Sequence, residues 1–351
     1  MSHKHALSAL AAAAGAALLA RRALRRRDSA RPVPAATSRT AAGPGTRPLT
    51  LLVTAHETVA EGVVLLRLEG HDLPRWEPGA HLDLVLPSGL VRQYSLCGDP
   101  EDTSSYTVAT RLAADGRGGS REVHEQVQEG SELEVRGPRN RFPLTEAPCY
   151  VFVAGGIGIT PILPMLRALP EGTGWRLLYG GRSRASMPFL EEVEKLDRDG
   201  GHVTVVAEDE AGLPDLDAFL ADLPAAAAVY ACGPEGLLTA LADRLPEGTD
   251  LRLERFAPRR GADGEAEFEV ELRRSGHTLT VPPGTSILAA VRAELPNTPY
   301  SCEQGWCGTC QQRVLEGEIE HRDDLLTDSE RGDSLLICVS RARGERLVLD
   351  M

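Results

Sequence analysis

The chain has 351 residues, 42% hydrophobic and 25% charged, enough apolar material for two or three domains with real cores and too much for a disordered polymer. The formal net charge of −13 argues against nucleic acid as a partner. Seven cysteines, an odd number without the spacing of a secreted framework, exclude a disulfide scaffold and point the clustered ones towards metal or redox chemistry.

The charge is unevenly placed. Residues 1–47 hold nine Lys or Arg and one Asp, a balance of +8, whereas the other 304 residues hold 29 Lys or Arg and 50 Asp or Glu, a balance of −21. An acidic body of this kind gains association rate with a basic partner surface. Within the arm, ALSALAAAAGAALLA (6–20) is apolar but alanine-rich and short for a membrane span, and RRALRRR (21–27) follows where a signal peptide has small residues. The composition leaves three readings open. The arm is a loose or cleaved tail, a span whose arginines keep the body inside, or an amphipathic helix lying on anionic lipid. The body is expected in the cytoplasm, with the arm as its route to peripheral or anchored placement at the inner membrane face.

From 49 to 142 short apolar runs alternate with Gly and Pro punctuation: LTLLVTAHET, VVLLRLEG, HLDLVLP, VRQYSL, SYTVAT and SELEVRG. They predict an antiparallel barrel, with EVHEQV (122–127) as a short helix. From Cys149 the rhythm changes. YVFVAGG, WRLLYGG, HVTVVAE and AAVYACG read as buried parallel strands, and the helical runs ITPILPMLRAL, PFLEEVEKL, LDAFLADL and PEGLLTALADRL alternate with them. This is the pattern of a doubly wound α/β domain, closing near LRLERF (251–256). From Gly261 a third unit begins, a small α+β domain with the hairpin EFEVELRRSG/HTLTVPPG, a helix SILAAVRAEL started by Ser286, and strands QQRVLEGEI, DSLLICVSRA and RLVLDM.

SCEQGWCGTC (301–310) carries Cys302, Cys307 and Cys310 as C-x4-C-x2-C, and Cys338 follows after a gap of 27 residues. This is plant-type [2Fe–2S] spacing. One loop can wrap a cluster while a distant thiolate pins it to the body, and Gly305 and Gly308 allow the tight backbone this needs. A zinc ribbon would show two C-x2-C knuckles, and only one is present. Cys97 and Cys149 read as structural thiols. In AGGIGITP (154–161), Gly155, Gly156 and Gly158 let backbone amides approach a pyrophosphate, with Thr160 as the expected N-cap and Pro161 in the first helical position. Arg182, Ser183 and Arg184 in GGRSR suit an adenosine ribose or phosphate. Cys232, Gly233 and Pro234 end the last strand where a flat ring could stack. Trp306 suits either loop packing or an exit surface near the cluster.

Together RQYSL (92–96), GRGGS (116–120), PRNRFPL (138–144), GGIGITP, YACGP and the cysteine set make residues 48–351 resemble the phthalate dioxygenase reductase / vanillate O-demethylase reductase family. Such proteins look like ferredoxin–NADP reductases with a plant-type ferredoxin fused at the C-terminus. The resemblance implies a multidomain α/β and β fold: a basic arm at 1–47, an antiparallel flavin-binding β-barrel at 48–145, a doubly wound NAD-binding α/β domain at 146–258 and a β-grasp ferredoxin domain at 259–351. It implies FMN, NADH and a [2Fe–2S] cluster, with NADPH as the alternative donor because Arg182 and Arg184 could accept a 2′-phosphate. It gives Arg92, Gly119 and Ser120 the flavin phosphate, Tyr94, Ala109 and Thr110 the ring edge, Ser95 the reactive nitrogen, Thr160 the face from the nucleotide domain, and Phe256 the cover of the ring. Ser95, Thr160 and Cys232 are the residues expected nearest the hydride. The function implied is electron transfer from NADH, through FMN and the cluster, to a partner oxygenase, by a monomer. A cytochrome P450 or a membrane acceptor is the second reading, and a non-catalytic redox sensor is the third.

Overall fold

The computed structural model describes residues 48–113, 118–197, 200–224, 226–256, 265–300, 302–305, 308–323 and 325–351. The basic arm, Gly116, Trp306 and Cys307 lie outside the described residues.

Strands β1 (Leu49–Ala60), β2 (Val63–Glu69), β3 (Ala80–Val85), β4 (Val91–Ser95), β5 (Ser105–Arg111) and β6 (Glu132–Asn140) form one sheet in the order β4-β3-β6-β1-β2-β5. Every neighbouring pair is antiparallel. The two outer strands meet through a bridge between Leu96 and Val108, and Cys97 N donates to Thr107 O at 2.9 Å. The sheet therefore curls back on itself, and the edges that would invite aggregation are consumed. The period-2 alternation of sequence drives this closure. Leu66 and Leu68 of β2, Leu82 and Leu84 of β3 and Val135 of β6 are fully buried in the interior. Each such side chain contributes about 1.5–3 kcal/mol. Helix α1 (Gly119–Glu125) plugs one side through buried Val123.

Strands β7 (Cys149–Gly155), β8 (Gly174–Gly181), β9 (Val203–Ala207), β10 (Ala227–Cys232) and β11 (Asp250–Glu254) form a second, parallel sheet in the order β11-β10-β7-β8-β9. It carries helices α2 (Ile159–Ala168), α3 (Leu190–Leu196), α4 (Glu208–Ala211), α5 (Leu216–Leu220) and α6 (Glu235–Ala242). From β7 the chain winds out through β8 and β9, then returns to the other side of β7 for β10 and β11. The order thus reverses between β7 and β10, and a crevice opens at their carboxyl ends, where open α/β sheets bind ligands. HVTVVAE was expected as strand through Glu208, but the strand stops at Ala207 and Glu208–Ala211 coil into one helical turn.

The helix after β7 starts differently from expectation. A 3-10 turn over Gly156–Gly158 precedes it, and Gly158 occupies the capping position. Thr160 is not the N-cap. It is the second helical residue, and its Oγ1 donates back to Ile157 O at 2.9 Å. Pro161 is the third helical residue and not the first, still within the first turn, where its missing N–H has no partner to lose.

A third sheet, β13-β12-β18-β14-β16, joins β12 (Phe268–Leu272), β13 (His277–Val281), β14 (Gln311–Glu316), β16 (Ser334–Leu336) and β18 (Arg346–Leu349). Only β12 and β18 run parallel among these pairings. Helix α7 (Ile287–Glu294) packs Ile287, Leu288 and Val291 into the core, and Ser286 Oγ caps it by accepting from Ala289 N at 3.1 Å. The segment QQRVLEGEI does not run as one strand. At Gly317, with φ of +105°, a Cβ would lie 2.5 Å from Arg346 O. The chain turns there, and β15 (Ile319–Glu320) pairs instead with β17 (Arg341–Ala342).

Candidate electron-transfer site

On the barrel, β4 and β5 present the expected flavin residues. Arg92 folds against Gly119, where a Cβ would sit 2.6 Å from Arg92 Nε. Only glycine lets the guanidinium lie along the start of α1, so the two elements expected to share a phosphate are brought together. Ser120 Oγ accepts from Ala113 N at 3.1 Å, which ties the loop back to β5. Burial pushes the Tyr94 phenol up to about 12. The buried Thr110 Oγ1 leans towards it without a hydrogen bond of normal geometry. Ala109 is buried with Val63 and Cys97, against Ile157 and Phe189 of the second sheet's loops.

Ser95, at the end of β4, faces a residue the sequence did not single out. Its Oγ donates to Glu254 Oε2 at 3.5 Å, across 159 positions of chain. Burial raises the Glu254 carboxyl to about 8. These two, with His81, Arg141, Phe256 and Gln304, line a small cavity of about 30 Å³. His81 Nε2 has no hydrogen-bond partner there, and burial, helped by Arg139, lowers the ring to about 3, so it is neutral. Orphaned polar atoms on Thr110 and His81, a glycine-floored guanidinium and a polar wall at Ser95 fit a group such as a flavin mononucleotide, which brings ring acceptors and a phosphate.

In the crevice between β7 and β10, backbone meets backbone. A Cβ on Gly158 would lie 2.1 Å from Cys232 O, one on Gly155 would lie 2.5 Å from Pro234 Cδ, and one on Gly233 would lie 3.0 Å from Gly155 Cα. The glycine loop and the Cys-Gly-Pro turn are therefore one packed unit. Gly158→Ala is expected to destabilise the protein by about 3 kcal/mol, because rigid backbone must move to admit one methyl group. A thermal melt unchanged from the native protein would disprove the close approach. Cys232 is fully buried, and burial, with Glu254 nearby, holds its thiol neutral. Thr160 is buried in α2.

Arg111 is the second residue that sequence reading passed over. Its Nη1 lies 3.8 Å from where a side chain on Gly156 would begin, and burial together with Arg182 lowers its pKa. A guanidinium thus stands at the glycine loop within electrostatic reach of a second one, Arg182, an arrangement that an anion relieves. Arg184 points elsewhere, into an ion pair with Glu194 at 2.5 Å. Ser183 N donates to Ser186 Oγ at 3.2 Å, forming the turn that follows β8.

In the third sheet, Cys302, Cys310 and Cys338 are all buried. The Cys338 thiol is pushed up by its hydrogen bond with Cys310, by burial and by the proximity of Cys310 and Cys302. Among the described residues no set of three acidic, His or Cys side chains surrounds one ion. A two-iron cluster asks instead for two pairs of thiolates, and Cys310 with Cys338 is such a pair. Gly305 and Gly308 have φ of +83° and +72°, so the loop bends as only glycine does cheaply. A buried crowd of soft thiol donors on a tight loop fits the cluster. Cys307 lies outside the described residues.

Comparison with known proteins agrees with this arrangement. The family of 2Fe-2S iron-sulfur cluster binding domains matches residues 270–343, and the oxidoreductase NAD-binding domain family matches residues 152–243. A curated relative, the phenoxybenzoate dioxygenase subunit beta of Ectopseudomonas oleovorans, is 40% identical over 316 residues, covering 87% of this chain and 98% of its own. The solved structure of phthalate dioxygenase reductase, described as a modular structure for electron transfer from pyridine nucleotides to [2Fe-2S], superposes with a TM-score of 0.68 at 36% identity, covering 87% of this chain and 98% of that one. The chain belongs to the phthalate dioxygenase reductase family. Like that family's members it is an electron-transfer oxidoreductase with NAD-binding and [2Fe-2S] domains. An intact type IV self-sufficient cytochrome P450 monooxygenase also superposes, with a TM-score of 0.71 at 38% identity, covering 88% of this chain and 43% of that one.

Proposed function

We propose that the protein takes a hydride from NADH onto FMN held at β4, β5 and α1, and passes the electrons singly through a [2Fe–2S] cluster to a partner oxygenase. Cys302, Cys307, Cys310 and Cys338 hold the cluster. The observation that carries this reading is the convergence of three sheets on one cavity. Ser95 comes from the first, Glu254 and Phe256 from the end of the second, and Gln304 from the cysteine loop. Bound FMN supplies the conversion from two-electron to one-electron chemistry.

Arg92 and Ser120 would hold the phosphate, Tyr94 and Thr110 would line the ring edge, and Phe256 would cover the ring. Arg111 and Arg182 hold the nucleotide pyrophosphate over Gly155, Gly156 and Gly158. Splitting a hydride into single electrons would release one proton, and Ser95 Oγ with Glu254 would take it up, because a carboxyl near 8 both accepts and gives a proton around neutral pH. NADH is favoured over NADPH because Arg184 is committed to Glu194. The domains correspond to 48–145, 146–258 and 259–351. A cytochrome P450 acceptor is the second reading, supported by the match to the self-sufficient P450. No described helix is long and apolar enough to cross a membrane.

Anaerobic titration of the purified protein with NADH, and separately with NADPH, tests the reading. Flavin and iron–sulfur bands that bleach together with NADH are expected. A flavin band without an iron–sulfur band would remove the cluster step.

A further inference from the structure

Gln304 lies two residues after Cys302 and makes two hydrogen bonds that face opposite ways. Its backbone N–H donates to Cys302 Sγ at 3.3 Å, and its side-chain Nε2 donates to Phe256 O at 2.7 Å. The second bond joins positions 48 apart in sequence. It is partly buried, at the rim of the cavity that holds Ser95 and Glu254. A continuous path of covalent and hydrogen bonds therefore runs from the residue expected to cover the flavin to a thiolate expected to hold the cluster.

We propose that Gln304 is the positioning residue that docks the cysteine loop on the flavin wall, and so sets the geometry for electron transfer between flavin and cluster. This rests on the cofactor reading above. The step it would serve is the transfer of one electron, in which no bond is made or broken and no proton moves. The residue type fits. A neutral amide donates to a carbonyl without adding charge beside an anionic thiolate–sulfide cluster, where a Lys would shift the potential and a Glu would repel both neighbours.

The test is stopped-flow reduction of the holoprotein by NADH, with hydrogen exchange of residues 302–305 measured in the protein as isolated. In Gln304→Leu, cluster reduction is expected to slow about tenfold relative to flavin bleaching in the same variant, the effect of losing one good hydrogen bond on the docked population. Exchange at 302–305 rises, and the cluster's midpoint potential stays put because the bond to Cys302 comes from the backbone. Gln304→Asn, one methylene shorter and unable to reach Phe256 O from the same backbone, is slowed in the same way. A native ratio of cluster reduction to flavin bleaching with native exchange in both variants overturns the proposal, as does a shifted cluster potential with unchanged exchange. A native protein without flavin or iron–sulfur bands overturns the cofactor reading and the proposal together.

Discussion

Cys338→Ser is expected to leave NADH-driven flavin bleaching near its native rate while lowering cytochrome c reduction about a hundredfold or more. Two features of the structure separate the effects. Cys338 follows β16, packed among Leu335, Leu336 and Ile337, far in sequence from every element of the flavin and nucleotide walls. The hydride step therefore loses nothing directly. The cluster loses the thiolate paired with Cys310, and a serine hydroxyl is a hard, poorly ionised substitute for a soft donor. Iron content and the visible spectrum report the loss independently of turnover. Undiminished cytochrome c reduction with full iron content would remove Cys338 from the ligand set.

Glu254→Gln is expected to slow turnover and, separately, to remove a loss of stability of about 3 kcal/mol between pH 6 and pH 9. The folded carboxyl sits near 8 against an ordinary 4.5, raised by burial. Below the ordinary value both folded and unfolded chains hold the proton and the difference vanishes. Between the two values the folded chain keeps a proton that the unfolded chain has released, so stability falls as pH rises, and above about 8 the whole penalty of a buried charge is present. Glutamine keeps the shape and removes the titration. Urea unfolding at pH 6 and pH 9 reads the effect: the native protein weakens between them more than the variant does. Equal pH dependence in the two would show that the carboxyl is solvated. A turnover profile that keeps its native pH dependence in the variant would remove Glu254 from the proton path.

Much of this was legible in the sequence because its signals are local. The period-2 runs before Phe142 drew the barrel, the alternation after Cys149 drew the parallel sheet, and four cysteines at fixed spacing drew the cluster loop. What escaped depends on distant segments meeting. Glu254 read as the tail of a strand, and nothing in LRLERF says that its carboxyl will meet Ser95 across 159 positions. Arg111 ends an ordinary barrel strand, and only the seating of the second sheet sets it beside Gly156. Gln304 was hidden by the cysteines around it. Thr160 was misplaced by a few residues because a 3-10 turn, which hydrophobic periodicity does not report, uses up the glycines before the helix.

Strand β18 lies at the centre of its sheet, parallel to β12 on one side and antiparallel to β14 on the other. The segments beside two of the cysteines meet on the far side of β14: Gln311, next to Cys310, pairs with Leu336, and Ile337 N, next to Cys338, donates to Cys310 O at 3.4 Å. A slip of one residue in that short ladder would turn alternate side chains to the other face and part the two thiols, so the register of β14 on β16 fixes their spacing.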